Sequence, residues 1–123
     1  MDNLANRKIV RTYTYYSDSH PNKKIAIITI EETLLESTGH IEVLDTELAP
    51  LDMQLVAKHC NNLNGANICL NDRAMQPNRC FFEDYCKANG LNPYNINDRL
   101  KLSGGRNCDD DLYIITEEGV VNG

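Results

Sequence analysis

Acidic side chains fall where a chain of this kind changes direction. Asp18 follows an aromatic run, in Tyr15-Tyr16-Ser17-Asp18-Ser19. Glu47 sits in Thr46-Glu47-Leu48-Ala49, and Asp72 closes Ile68-Cys69-Leu70-Asn71-Asp72. Asp109, Asp110 and Asp111 come shortly after Asn107. Hard divalent cations want oxygen ligands, and carboxylates delivered by several rigid elements supply them. Two such ions about 4 Å apart activate a water and stabilise the leaving oxygen in phosphodiester hydrolysis. Carboxylates brought together repel until a cation arrives, so a site of this kind takes up protons or metal readily. Each acid also has a plain structural role. Asp18 suits a turn, Glu47 the first turn of a helix, Asp72 an Asx-turn, and the Asp triplet a solvated loop.

Other residues suit recognition more than cleavage. Tyr13 and Tyr15 share one face of an extended segment and Tyr16 takes the other. Aromatic rings beside Arg11 and Arg73 could hold a nucleobase or a partner protein, and Tyr15 and Arg73 are the candidate ligand-binding pair. A plain strand explains the same tyrosines. The five cysteines, Cys60, Cys69, Cys80, Cys86 and Cys108, include no Cys-x-x-Cys pair. His59 with Cys60, Cys69, Cys80 and Cys86 fits no standard zinc spacing, so reduced, buried thiols are expected. Gly104-Gly105-Arg106 is too short for a phosphate loop and reads as a turn.

The elements that must position these groups follow from hydrophobic period. Residues 9–16 alternate and are rich in β-branched and aromatic side chains, which predicts a strand closed by the turn formers of 17–22. Residues 24–30 are apolar on both faces, as in a central, doubly covered strand. Ser37-Thr38-Gly39 is a turn before a third strand over 40–44, completing an antiparallel meander. The period then becomes helical. Asp45 or Thr46 caps a helix to about Leu63, with Leu48, Leu51, Leu55 and His59 on one stripe and Pro50 in its first turn. Residues 66–70 read as a short strand. A second helix runs from about Asn78 to Asn89 and stops at Gly90. Arg99 to Leu102 reads as another short strand, and residues 112–115 fit a strand or a helix turn.

This order of elements, with Asp18, Glu47 and Asp72 at those positions, resembles a shortened, divergent ribonuclease H-like domain over roughly residues 9–112. The resemblance implies that Asp18, Glu47, Asp72 and Asp111 are catalytic. Asn107 followed four residues later by Asp111 matches the family's last motif. It further implies that Asp18, Glu47, Asp72, Asp110 and Asp111 hold Mg²⁺ or Mn²⁺, with Asp18 bridging the ions, and that the substrate is the RNA of an RNA/DNA hybrid. The chain departs from the family in lacking its glycine-rich stretch after the first Asp and the histidine near the last one.

Composition bounds these readings. Twelve Lys and Arg against eighteen Asp and Glu give a net charge of −6, which argues against attachment to nucleic acid by bulk charge. Length predicts one domain: a flexible segment over 1–8 and a single α+β domain over 9–123, its mixed sheet formed by the meander plus a further strand and covered by two or more helices. No apolar run reaches bilayer length, and Met1-Asp2-Asn3-Leu4-Ala5-Asn6 lacks the features of a signal peptide, so a cytoplasmic protein without membrane contact is expected. Two functions follow. One is a metal-dependent endonuclease of ribonuclease H type. The other is a non-enzymatic binder, of the kind viruses use, that inhibits a partner protein or sequesters a nucleotide-like ligand through Arg and Tyr side chains.

Overall fold

A computed structural model of the chain describes residues 7–74, 82–107 and 110–122. Residues 1–6, the expected helix start at Asn78, and Cys80, Cys108 and Asp109 lie outside these. The elements are β1 (Arg7–Ser17), β2 (Ala26–Glu32), β3 (Ser37–Val43), α1 (Leu51–His59), α2 (Leu63–Arg73), α3 (Phe82–Ala88), α4 (Ile96–Ser103) and β4 (Leu112–Asn122).

The four strands form one sheet in the order β3-β2-β1-β4. Every pairing is antiparallel. The chain is therefore α+β with an antiparallel sheet, where a mixed sheet was expected. The reason lies in which segment supplies the fourth strand. Residues 66–70 fold within α2, and the strand comes from the C-terminal segment, whose two readings resolve as β4. β4 pairs along all of β1, from Arg7 opposite Asn122 to Ser17 opposite Leu112. That partner carries β1 back to Arg7, inside the segment expected to be flexible.

Register puts one set of apolar side chains on a single face. Tyr13 lies opposite Ile28, and Ile28 opposite Ile41. Tyr15 lies between Ala26 and Ile114. These six residues are all buried, with Met53 of α1, Ala66, Cys69 and Leu70 of α2 and Leu100 of α4 packed against them. α1, α2 and α4 thus cover that face of the sheet.

The helices differ from the sequence reading for identifiable reasons. Asp45 Oδ1 accepts from the Glu47 and Leu48 N–H groups at 2.9 and 3.1 Å. This closes a local turn, and the helix begins only after Pro50. Leu51 and Leu55, expected on the buried stripe, are exposed; Met53 is the buried residue of α1. α1 ends at His59, and Asn62 then caps α2 by accepting from the Gly65 N–H at 3.0 Å. In α2 the buried side chains are Ala66, Cys69, Leu70 and Arg73, one helical stripe that includes a cation. Arg99 to Leu102 lies in α4 and not in a strand. α4 is capped by Asn95, which accepts from the Asn97 and Asp98 N–H groups, and it ends at Gly104 with φ +66°.

α2 sits close to the sheet because β3 offers it a residue without a side chain. A Cβ on Gly39 would stand 2.7 Å from Leu63 Cα and 3.1 Å from Ala66 Cβ. Gly39→Ala is therefore expected to destabilise the fold by about 1–3 kcal/mol through overpacking. Denaturant unfolding measures this, and a midpoint unchanged from wild type would contradict the close approach.

Candidate ligand-binding cavity

The stripe that buries α2 brings Arg73 under the sheet, where the guanidinium lies 5.5 Å from the centre of the Tyr15 ring. Arg73 is 3% exposed. It donates to the Gly105 carbonyl at 3.0 Å and the Leu112 carbonyl at 3.5 Å, and it forms an ion pair with Asp110. Its own carbonyl accepts from Ser103 Oγ at 2.7 Å. Beside it opens a cavity of about 990 Å³. Tyr15, Met53, Cys69, Arg73 and Arg99 form its buried wall, and Asp52, Ile68, Asn71, Asp72 and Asp110 its exposed rim.

Two side-chain atoms define what the wall offers. Among the described residues, Tyr15 Oη and Arg99 Nε are the buried side-chain polar atoms that have no hydrogen-bond partner. Both residues line the cavity. The rest of the Arg99 guanidinium reaches Asn71 Oδ1 at 2.9 Å. Burial lifts the Tyr15 hydroxyl far above its ordinary pKa, and Cys69, Asp72 and Asp52 add to this against the opposing charge of Arg73. Tyr15 thus keeps its proton and remains a donor. Burial, then the charges of Asp52 and Asp72, push the Cys69 thiol up to about 11, so it is no thiolate near neutral pH. Two residues of the wall thus hold a buried donor without a partner, and the rim presents carboxylates.

The residues singled out in the sequence divide between two places. Tyr15, Arg73, Asp72 and Asp110 line the cavity. Asp18 and Asp111 lie at the joint between the β1–β2 turn and the start of β4. There the Asp18 N–H donates to the Asp111 carbonyl at 3.1 Å. Asp18 pairs with Arg106 through two bonds of 2.7 and 3.0 Å, and Arg106 lies over the Tyr113 ring, itself stacked on Tyr16. Asp111 Oδ2 accepts from Ser17 Oγ at 2.9 Å and Ser19 Oγ at 2.6 Å. Glu47 is exposed in the turn after Asp45, so it does not open a helix. Asp72 lies on α2 and not at a strand end.

Among the described residues, no three His, Cys, Asp or Glu side chains gather as a metal ion requires. Asp18, Asp110 and Asp111 are engaged by Arg106, by Arg73 and by the two serines. Among the described residues the donor set does not fit a two-metal centre. Arg99, Asn71 and Asp52 were not singled out from sequence. The available signal for Arg99 was the cap pattern, with Asn95 ahead of Ile96 and two glycines behind Ser103.

No protein-family model, curated protein or solved structure gives a significant match to the chain. Among the described residues, no helix is long and apolar enough to cross a membrane.

Two predictions follow from these contacts. Tyr15→Phe removes an idle buried hydroxyl, so the unliganded variant should be more stable than wild type by about 1 kcal/mol. A lower melting temperature would show that the hydroxyl is satisfied. The second concerns acid. Arg106 holds Asp18 below the usual carboxylate range, Lys23 does so for Asp45, and Ser19 and Ser17 for Asp111. A carboxylate depressed in the folded state contributes stability above its unfolded pKa of about 4, and that stability is lost as pH falls through the folded value. Melting temperature should therefore drop on acidification below about pH 4, and less steeply in Asp111→Ala. Parallel curves for the two proteins would contradict the assignment.

Proposed function

We propose that the chain is a non-enzymatic binding protein that takes a nucleotide-like small molecule in the cavity between β1, α1, α2 and α4. The observation that carries this reading is the pair of idle donors, Tyr15 Oη and Arg99 Nε, on one cavity wall. Buried polar groups are nearly always satisfied, and two without partners, in residues that line one cavity, cost stability. The volume sits at the upper end of the range of about 300–1,000 Å³ usual for small-molecule sites. Apolar surface from Met53, Val56 and Ile68 accompanies the polar groups, as a flat ring system requires.

The wall is poor in catalytic groups. Among the described residues it contains no histidine, and its one cysteine stays protonated. A binder needs neither an activated nucleophile nor a tuned base. Charge supports a compact ligand over a nucleic acid strand, since the chain carries −6 and the rim is acidic.

Calorimetric titration with the four nucleoside monophosphates tests the reading. One-site saturable binding of at least one of them is expected, weakened about tenfold in Tyr15→Phe by the loss of one buried hydrogen bond. Tyr15→Phe would thus lose affinity while gaining stability. An RNA/DNA hybrid incubated with the protein in Mn²⁺ should stay intact. Cleavage that disappears in Glu47→Gln would overturn the binder reading in favour of the metal-dependent nuclease.

A further inference from the structure

We infer that the ligand enters oxyanion first, a phosphate seating against the Arg99 and Tyr15 side chains while an amine-bearing ring reaches the rim carboxylates Asp52 and Asp72. This rests on the cavity being the binding site and specifies the polarity and class of what it holds.

The two arginines of the wall differ in what they lack. Arg73 has its counter-charge in Asp110 and two carbonyls besides. Arg99 is 9% exposed, and its partner is Asn71, a neutral amide. Among the described residues no carboxylate pairs with it. A buried guanidinium without a counter-ion is an expensive arrangement, and a guanidinium edge is shaped to take an oxyanion. The Tyr15 hydroxyl, protonated and unpartnered on the same wall, is a second donor for that group. A carbonyl oxygen would satisfy the hydrogen bonds but not the charge.

The rim asks for the opposite. Asp52 Oδ1 accepts from the neighbouring Met53 N–H at 3.0 Å, and among the described residues neither Asp52 nor Asp72 forms an ion pair. Their charges reach inward far enough to act on both Cys69 and Tyr15. A bare polyanion would meet repulsion there. A tail that donates N–H bonds would be held, as an aspartate accepts from the exocyclic amine of cytosine. The chemistry that satisfies both ends is a nucleoside monophosphate whose base carries an exocyclic amine.

Calorimetry with cytidine monophosphate, uridine monophosphate, cytidine, phosphocholine and inorganic phosphate separates the parts. Cytidine monophosphate should bind at least tenfold more tightly than cytidine, which lacks the oxyanion, and than uridine monophosphate, which replaces the amine by a carbonyl. The double variant Asp52→Asn/Asp72→Asn should lose the preference for cytosine over uracil. Arg99→Gln should remove the advantage of the phosphate. Should that variant not fold, Tyr15→Phe, which removes a single hydroxyl, provides the same comparison. Equal affinity for cytidine and its monophosphate would overturn the inference, as would equal affinity for the two monophosphates or for phosphate alone. Phosphocholine binding that depends on Tyr15, with no nucleotide binding, would support oxyanion-first entry and overturn the nucleotide reading. Failure of every probe to bind would overturn both.

Discussion

One buried guanidinium joins parts of the chain that are distant in sequence. Arg73 leaves α2, crosses under the ring of Tyr15 on β1, and donates to Gly105 behind α4 and to Leu112 at the start of β4. Asp110 supplies the counter-charge, and Ser103 grips the Arg73 carbonyl from α4. Removing one partner from a buried ion pair leaves an uncompensated charge, so this junction is costly to break. It also accounts for the geometry around it. Gly105, at φ +71°, takes a backbone conformation that side chains rarely adopt, and a Cβ there would run into Ile114. The chain can turn from α4 into β4 at that point while its carbonyl faces Arg73.

The same wall contains a satisfied arginine and an unsatisfied one. Arg73 holds the fold together because its donors are taken by carbonyls and a carboxylate. Arg99, on α4, has among the described residues the Asn71 amide as its hydrogen-bond partner. Buried polar groups that are fully satisfied rigidify a core, while partly satisfied ones mark strain held for another purpose. The contrast separates an arginine paired with a carboxylate from one whose Nε has no partner among the described residues. The acidic joint at Asp18 and Asp111 is, by comparison, self-contained. Each carboxylate there already has its donors, and Arg106 lies over Tyr113 of the stacked pair Tyr16 and Tyr113.

What the sequence disclosed depended on whether local pattern agreed with tertiary context. The three-stranded meander was legible because residues 9–16 and 24–30 alternate or run apolar between clear turns. α2 was not, because its buried stripe of Ala66, Cys69, Leu70 and Arg73 mixes small, apolar and charged residues, leaving a five-residue run that looks like a strand. α1 misled in the other direction. Its leucines advertise an apolar stripe at Leu51 and Leu55 that the fold leaves exposed. The open choice at residues 112–115 was settled only by β1, whose full length pairs with β4. Of the site, Tyr15 and Arg73 could be named from residue type. Their meeting with Arg99 could not, because it needs the helix at Ile96–Ser103 and the long-range strand pairing together.

The pairing of β1 with β4 also sets the order in which the protein can exist during synthesis. The meander emerges first, and one edge of β1 stays open until residues 112–122 follow. Contacts so far apart in sequence close slowly, and an unpaired edge invites association in the interval. The wall that carries Tyr15 gains its remaining sides only when α4 and the segment at Asp110 arrive, so the cavity does not form from the meander alone.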